Sequence, residues 1–291
     1  MRLGSCLYQG NSVVFVESDG HYYLPSLQNA HATFWKDIQT LIADPKRDEK
    51  LAEFSPNKSC MVGLEDIQLL APIPRPNKNI ICMGLNYFDH IVEAADFAGR
   101  NAKTPKAPIV FTKSNFSVIG PGTPIPADPD ISEQLDWEVE LGVIIGKTGK
   151  AIKPEHVQDH IFGYTIINDI SARDLQFAHK QFYIGKSIDG GCPMGPVIVS
   201  KDEIPNAQQL QLSCRVNGVD KQTGSTEQMI FDIEQIIVTL SKTMTLEAGD
   251  VIATGTPNGV GFARTPPEFL KSGDVVECEI ESIGVLSNPV V

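Results

Sequence analysis

The sequence predicts an α+β, strand-rich fold with a small N-terminal α+β domain at residues 1–71 and a larger mixed-sheet domain at 72–291. Three observations predict it. Short β-branched and aromatic runs recur beyond residue 108 without the regular helical interludes of βαβ units, which argues for a mainly antiparallel or mixed sheet and against a doubly wound one. The alternation Leu210, Leu212, Cys214, Val216 runs directly into Asn217-Gly218, a hairpin signal because both turn residues tolerate positive φ. Residues 71–79 read Ala-Pro-Ile-Pro-Arg-Pro-Asn-Lys-Asn, and their three prolines resist regular structure and mark the boundary.

Taken in order, residues 12–17 and 21–24 read as strands around the turn dipeptide Asp19-Gly20. Trp35, Ile38, Leu41 and Ile42 fall at i, i+3, i+6 and i+7, the spacing of one helical face. After the boundary, strands are expected at 108–112, 137–145, 162–167, 197–199, 210–216, 251–254 and 275–280. One amphipathic helix interrupts them, with Ile233, Ile236, Ile237, Leu240 and Met244 on its apolar face.

The 291 residues include 24 Lys and Arg against 36 Asp and Glu, a formal charge of −12. That excess argues against a nucleic-acid partner, since phosphates are neutralised by clustered cations. It leaves room for a small anionic ligand, because the field inside a cleft can oppose the net charge. Apolar runs are short and interrupted, well below the about 20 residues that span a bilayer as a helix, so no membrane partner is expected. The six cysteines form no C-x-x-C pair and the start is not signal-like; reduced, buried thiols and a cytoplasmic location follow as expectations.

Candidate chemistry concentrates in Asp136-Trp-Glu-Val-Glu-Leu-Gly-Val-Ile-Ile-Gly146. On a strand, Trp137, Val139, Leu141, Val143 and Ile145 share a core face while Glu138 and Glu140 project together from the other. Side-by-side carboxylates repel unless a cation lies between them, and a solvated acidic face is the plain alternative. Asp169, at the end of the apolar run 162–167, is by itself an ordinary turn or cap residue. Together the three offer the oxygen ligands that a hard divalent cation prefers.

These acids belong to a longer pattern: the Glu-x-Glu of Glu138 and Glu140, then Asn168-Asp-Ile-Ser-Ala-Arg-Asp-Leu-Gln176, then Lys186-Ser-Ile-Asp-Gly-Gly-Cys-Pro-Met-Gly-Pro196, then Thr254-Gly-Thr-Pro257. In order and spacing, over about residues 75–285, the chain resembles the fumarylacetoacetate hydrolase superfamily, in particular its acylpyruvase and 2-hydroxyhepta-2,4-diene-1,7-dioate isomerase-like members. The resemblance implies a mixed β-sheet roll or sandwich, a homodimer, and a metal (Mg²⁺ or Mn²⁺, with Ca²⁺ as a third option) on Glu138, Glu140 and Asp169. Gly84-Leu-Asn-Tyr-Phe-Asp-His90-Ile-Val-Glu93 matches the family's G-L-N-Y-x-x-H-x-x-E, whose His and Glu form the water-activating pair. Physics agrees, since i and i+3 share a helical face and Glu93 can hold the His90 tautomer. The resemblance further places Arg173, Lys186 and Thr256 on the substrate carboxylate, with Lys186 also among the catalytic groups, and Gln176 beside the water. Lys113 matches a family lysine near the pocket mouth, although Ser114 stands where a proline usually follows.

The leading expectation is metal-dependent hydrolysis of a carbon–carbon bond in a 2,4-dioxo acid of acylpyruvate type, through a metal-stabilised enolate and water activated by His90 and Glu93. The alternatives on the same site are an oxaloacetate-type decarboxylase or an isomerase/decarboxylase of aromatic catabolism, and, from another class, a non-catalytic oxo-acid-binding protein. Three carboxylates with one divalent cation leave −1, and Lys186 with Arg173 bring the pocket to +1, which a small anionic oxo acid balances. Residues 94–106 mix Gly, Asn and charges and are expected to form a lid associated with the pair. Gly142-Val-Ile-Ile-Gly146-Lys is one residue short of a phosphate-binding loop, His156 and His160 lack a companion glutamate, and no G-x-S-x-G elbow occurs.

Overall fold

The computed structural model describes residues 1–28, 33–97, 99 and 101–291. The chain opens with β1 (Arg2–Tyr8), β2 (Asn11–Ser18) and β3 (His21–Tyr23), the last two joined through Asp19 and Gly20 at φ 51° and 74°. Two short helices, α1 (Ile38–Ala43) and α2 (Arg47–Glu53), precede β4 (Met61–Val62) and β5 (Ile67–Leu70). Trp35 lies ahead of α1, because Asp37 is the cap whose carboxylate accepts from the Thr40 amide at 2.7 Å; Trp35, Ile38, Leu41 and Ile42 are nevertheless all buried. Residues 71–79 form neither helix nor strand.

The next stretch contains β6 (Ile80–Gly84), α3 (Phe88–Phe97), β7 (Ile109–Lys113), β8 (Val118–Ile119), β9 (Leu135–Asp136) and β10 (Val139–Ile145). It continues with α4 (Val157–His160), β11 (Ile161–Asn168), β12 (Ser171–Ala172), α5 (Arg173–Ala178), α6 (Tyr183–Lys186) and β13 (Cys192–Ser200). The last part holds β14 (Gln211–Val216), β15 (Val219–Ser225), α7 (Ile233–Thr243), β16 (Val251–Ala253), β17 (Val275–Ile280) and β18 (Gly284–Pro289). The strand expected at 197–199 begins earlier, at Cys192, and Met244 lies beyond the end of α7, 41% exposed, instead of on its buried face.

Among the described residues, a 12-stranded sheet runs β4-β3-β2-β1-β13-β11-β10-β16-β6-β7, with β5 on β1 and β8 on β13. The β16–β6 and β13–β8 pairs are parallel and the other pairs antiparallel, so the sheet is mixed. Leu3 of β1 pairs with Ile198 of β13, joining the N-terminal strands to the same sheet. A four-stranded sheet, β15-β14-β17-β18, contributes Leu212, Cys214 and Cys278 to the core that holds Val139, Leu141 and Val143 of β10. A second core joins Ile144 and Val251 to Trp35, Ile38 and Leu41. Strand β10 is therefore buried along its whole length, and its acids cannot form a solvated face.

All six cysteines are free and buried, and burial pushes the Cys6 and Cys192 thiols up to about 12. Since the thiolate is the reactive form, Ellman's reagent is expected to leave the native thiols untouched and to titrate six after denaturation. Fast reaction of one native thiol would contradict this packing.

Candidate active site

The antiparallel register of β10 and β11 builds the acidic centre. Val139 pairs with Asn168, so the preceding Glu138 lies opposite the following Asp169, whose amide donates to the Glu138 carbonyl at 2.9 Å. Glu140, two residues on, shares the face of Glu138. Ligand oxygens of Glu138, Glu140 and Asp169 lie within 4.8 Å of one another, and all three side chains are buried. Glu138 stands just ahead of β10, not inside a strand beginning at Trp137.

Cations from other elements converge on these acids. Lys186, at the end of α6, sits 2.7 Å from Glu138 and 2.8 Å from Asp169. Arg173, at the start of α5, reaches Glu138 at 2.7 Å and Asp136 at 2.8 Å, and donates to Gln176 one turn along at 2.9 Å. Gly185 lets α6 lie against α5, since a Cβ there would come within 2.5 Å of the Gln176 amide nitrogen. Two of the three Lys186 protons are engaged, which leaves a donor for a ligand in the cavity that both residues line.

Lys113 departs from its expected place. It is fully buried, 2.6 Å from Asp169 and donating to the Ile170 carbonyl at 2.9 Å, and it is absent from the cavity wall. It is not at a pocket mouth and cannot touch a substrate there; it neutralises Asp169 from behind. Thr256 does line the cavity, but its hydroxyl donates to the Val139 carbonyl at 2.9 Å and accepts from Gln222 at 2.8 Å.

Electrostatics separates the two glutamates. Burial works against the Glu138 carboxylate, but Lys186 and Arg173 outweigh it and hold the group below its ordinary range. Burial, then Asp169 and Glu138, pushes Glu140 well above it; its carboxylate accepts from the Gly255 amide at 2.8 Å. With all four carboxylates ionised, Asp136, Glu138, Glu140 and Asp169 against Lys113, Arg173 and Lys186 leave the cluster one positive charge short of neutrality. These residues fit a divalent cation. Their donors are all oxygens, and Glu140 needs a positive neighbour.

The fourth motif brings the histidine to this centre. Thr254 donates backbone and side chain to the Leu141 carbonyl, carrying the turn across β10. Gly255 has φ +97°, and a Cβ there would lie 2.8 Å from the Asn86 Cβ. Asn86 donates to the Thr254 and Phe231 carbonyls at 2.8 and 3.0 Å, which fixes the approach to α3. On that helix His90 Nδ1 lies 2.7 Å from Glu93 Oε1, and Glu93 Oε2 accepts from the Gly259 amide at 2.8 Å. Nε2 is the ring nitrogen left for the cavity, about 320 Å³, which His90 lines and Glu93 supports from behind. Residues 94–97 of the expected lid continue α3; positions 98 and 100 lie outside the described residues.

Sequence reasoning missed two organising residues. Asp136 is fully buried, and its carboxylate accepts from Arg173, Trp137, Gly261 and Phe262 at 2.6 to 3.0 Å. Its parity with Glu138 and Glu140 was the available signal. Gln222 ties the Val139 amide to Thr256 from β15, a long-range link with no sequence signal. His156 is exposed and His160 bonds the Lys147 carbonyl, both away from this site.

The family model for fumarylacetoacetate (FAA) hydrolase C-terminal matches residues 79–291. Oxaloacetate tautomerase YisK of Bacillus subtilis (strain 168) is 54% identical over 232 residues, 80% of this chain and 76% of that protein. Among solved structures, a fumarylacetoacetate hydrolase from psychrophilic Exiguobacterium antarcticum matches with a TM-score of 0.85 at 42% identity, over 100% of this chain and 99% of that one. Maleylpyruvate hydrolase from Sphingobium sp. SYK-6, solved with manganese(II) and pyruvate, matches with a TM-score of 0.76 at 29% identity and the same coverage. The chain belongs to the fumarylacetoacetate hydrolase family.

Proposed function

We propose that this protein is a divalent-cation-dependent enzyme that moves the C3 proton of a 2-oxo acid, acting as a tautomerase on an oxaloacetate-type substrate. The observation that carries the reading is one proton-carrying pair, His90 with Glu93, placed beside a cavity whose other titratable lining groups belong to the carboxylate–cation cluster. Enol-to-keto conversion needs one such group: C3 gains a proton from His90 Nε2, and the proton that the 2-hydroxyl gives up returns to that nitrogen. Carbon–carbon hydrolysis also needs a placed and deprotonated water, and the similarity to an oxaloacetate tautomerase favours the simpler chemistry over the expected acylpyruvate hydrolysis.

A cation held by Glu138, Glu140 and Asp169, Mg²⁺ or Mn²⁺, would supply Lewis-acid stabilisation of negative charge on the 2-oxo oxygen. The protein's own residues do the rest. Lys186 and Arg173 present their remaining donors to the substrate carboxylate, and Gln176 keeps the Arg173 fork turned toward Glu138. Glu93 holds the imidazole with Nδ1 toward itself, so the proton is offered and recovered at Nε2.

The test is a substrate panel with Mg²⁺ present, following decay of the oxaloacetate enol by its ultraviolet absorbance and release of pyruvate from acylpyruvates. Faster enol decay, abolished by chelation and restored by Mg²⁺ or Mn²⁺, is expected. Pyruvate release with no effect on enol decay would return the hydrolase reading.

A further inference from the structure

We infer that Phe97, Phe177 and Phe262 form an aromatic latch that holds α3 over the cavity, making Phe97 a positioning residue for His90. The inference rests on the assignment of His90 and Glu93 as the proton-carrying pair. It starts from how little else holds the helix: of the ten residues of α3, His90 and Ile91 are the buried ones. A segment with so small a buried face opens readily unless its ends are tied. The tie before its start is Asn86, and the tie in its middle is the Glu93 bond to Gly259.

The third tie is at the last residue. The Phe97 ring stacks on Phe177 of α5, with centroids 6.0 Å apart and planes 23° apart, and meets Phe262 edge-on at 5.1 Å and 87°. Phe177 and Phe262 close the triangle at 5.6 Å and 73°. Phe97 and Phe177 are 52% and 55% exposed, whereas Phe262 is 5% exposed, so two surface rings are seated on a buried one. Single exposed rings are common; three converging from a helix end, a second helix and the short 3-10 turn Gly261–Ala263 are a specific join.

Phe262 connects this join to the acidic centre. The Arg173 guanidinium lies over its ring at 4.5 Å, and its amide donates to Asp136 at 3.0 Å. Phe177 and Phe262 also line the cavity, so the latch contacts the space that a substrate fills. When Phe97 is seated, the helix is referenced to the same Asp136–Arg173 pair that orders the carboxylates. His90 then keeps its place relative to them.

The test compares amide hydrogen exchange in α3 with turnover for Phe97→Ala, Phe97→Leu and Phe97→Trp in the full chain. Phe97→Ala should lose protection across residues 91–97 and lower kcat/KM about five- to a hundredfold, the effect of losing two ring pairs. Phe97→Trp should recover most of both, Phe97→Leu less, with Mn²⁺ affinity and melting temperature near wild type throughout. Unchanged α3 protection in Phe97→Ala overturns the latch, as does lost protection with unchanged kcat/KM. His90→Ala, measured in parallel, separates the premises: if it keeps activity while Phe97→Ala loses α3 protection and activity, the proton-carrier assignment has failed and with it the positioning of His90, and only the hold of the three rings on α3 stands.

Discussion

Replacing His90 by alanine is expected to lower kcat by about 10²- to 10⁴-fold, the range lost when a positioned acid–base group is removed, while cation affinity and melting temperature stay close to wild type. The side chain lines a cavity, so its removal enlarges existing space instead of opening a void in the packed core. Its bond is to Glu93, whose other oxygen remains tied to Gly259 in the variant. The carboxylates are positioned by Lys186, Arg173 and Lys113, whose ion pairs do not run through the imidazole. Isothermal titration with Mn²⁺ beside steady-state kinetics checks the separation. Equal loss of cation binding and turnover would make His90 a structural residue.

The second large effect is on stability. Asp136→Asn is expected to destabilise the protein by about 3 kcal/mol or more, the range found when one partner of a buried ion pair is removed. Arg173 would remain buried, with Glu138 as its remaining carboxylate, and an amide cannot present two acceptor oxygens to Gly261, Phe262 and Trp137. By contrast, Arg215 pairs with Glu279 where both side chains are 25% and 46% exposed, and cutting that pair should cost about 1 kcal/mol or less. Urea unfolding of both variants reads the contrast as a lowered midpoint at unchanged m-value. A small, equal cost for the two would show that the Asp136 cluster is not an organising element.

The residues that build the site were more legible than the way they are used. Alternation placed Glu138 and Glu140 together, and helical spacing paired His90 with Glu93, because both rules follow from backbone geometry alone. Lys113 was misplaced because its position depends on the β6–β7 pairing, which buries Ile80 opposite Lys113 and turns the ammonium inward toward Asp169. Gln222 and Phe262 come from segments distant in sequence from the acids they support, and no local pattern connects them. In the fold, the hairpins at Asp19-Gly20 and Asn217-Gly218 were readable from turn chemistry. The β1–β13 junction was not, since a pairing confined to Arg2 and Leu3 leaves no periodic signal.

The central claim, that the Glu138, Glu140 and Asp169 centre and the His90–Glu93 pair together move a C3 proton, is tested most directly by exchange in D₂O. Proton NMR would follow loss of the C3 hydrogens of oxaloacetate with Mg²⁺-loaded protein, with chelated protein, with Glu140→Gln and with His90→Ala. Exchange well above the buffer rate with the loaded wild type, and near the buffer rate in the other three, is the predicted result. Exchange at the buffer rate with the loaded wild type, while an acylpyruvate is cleaved to pyruvate, would contradict it.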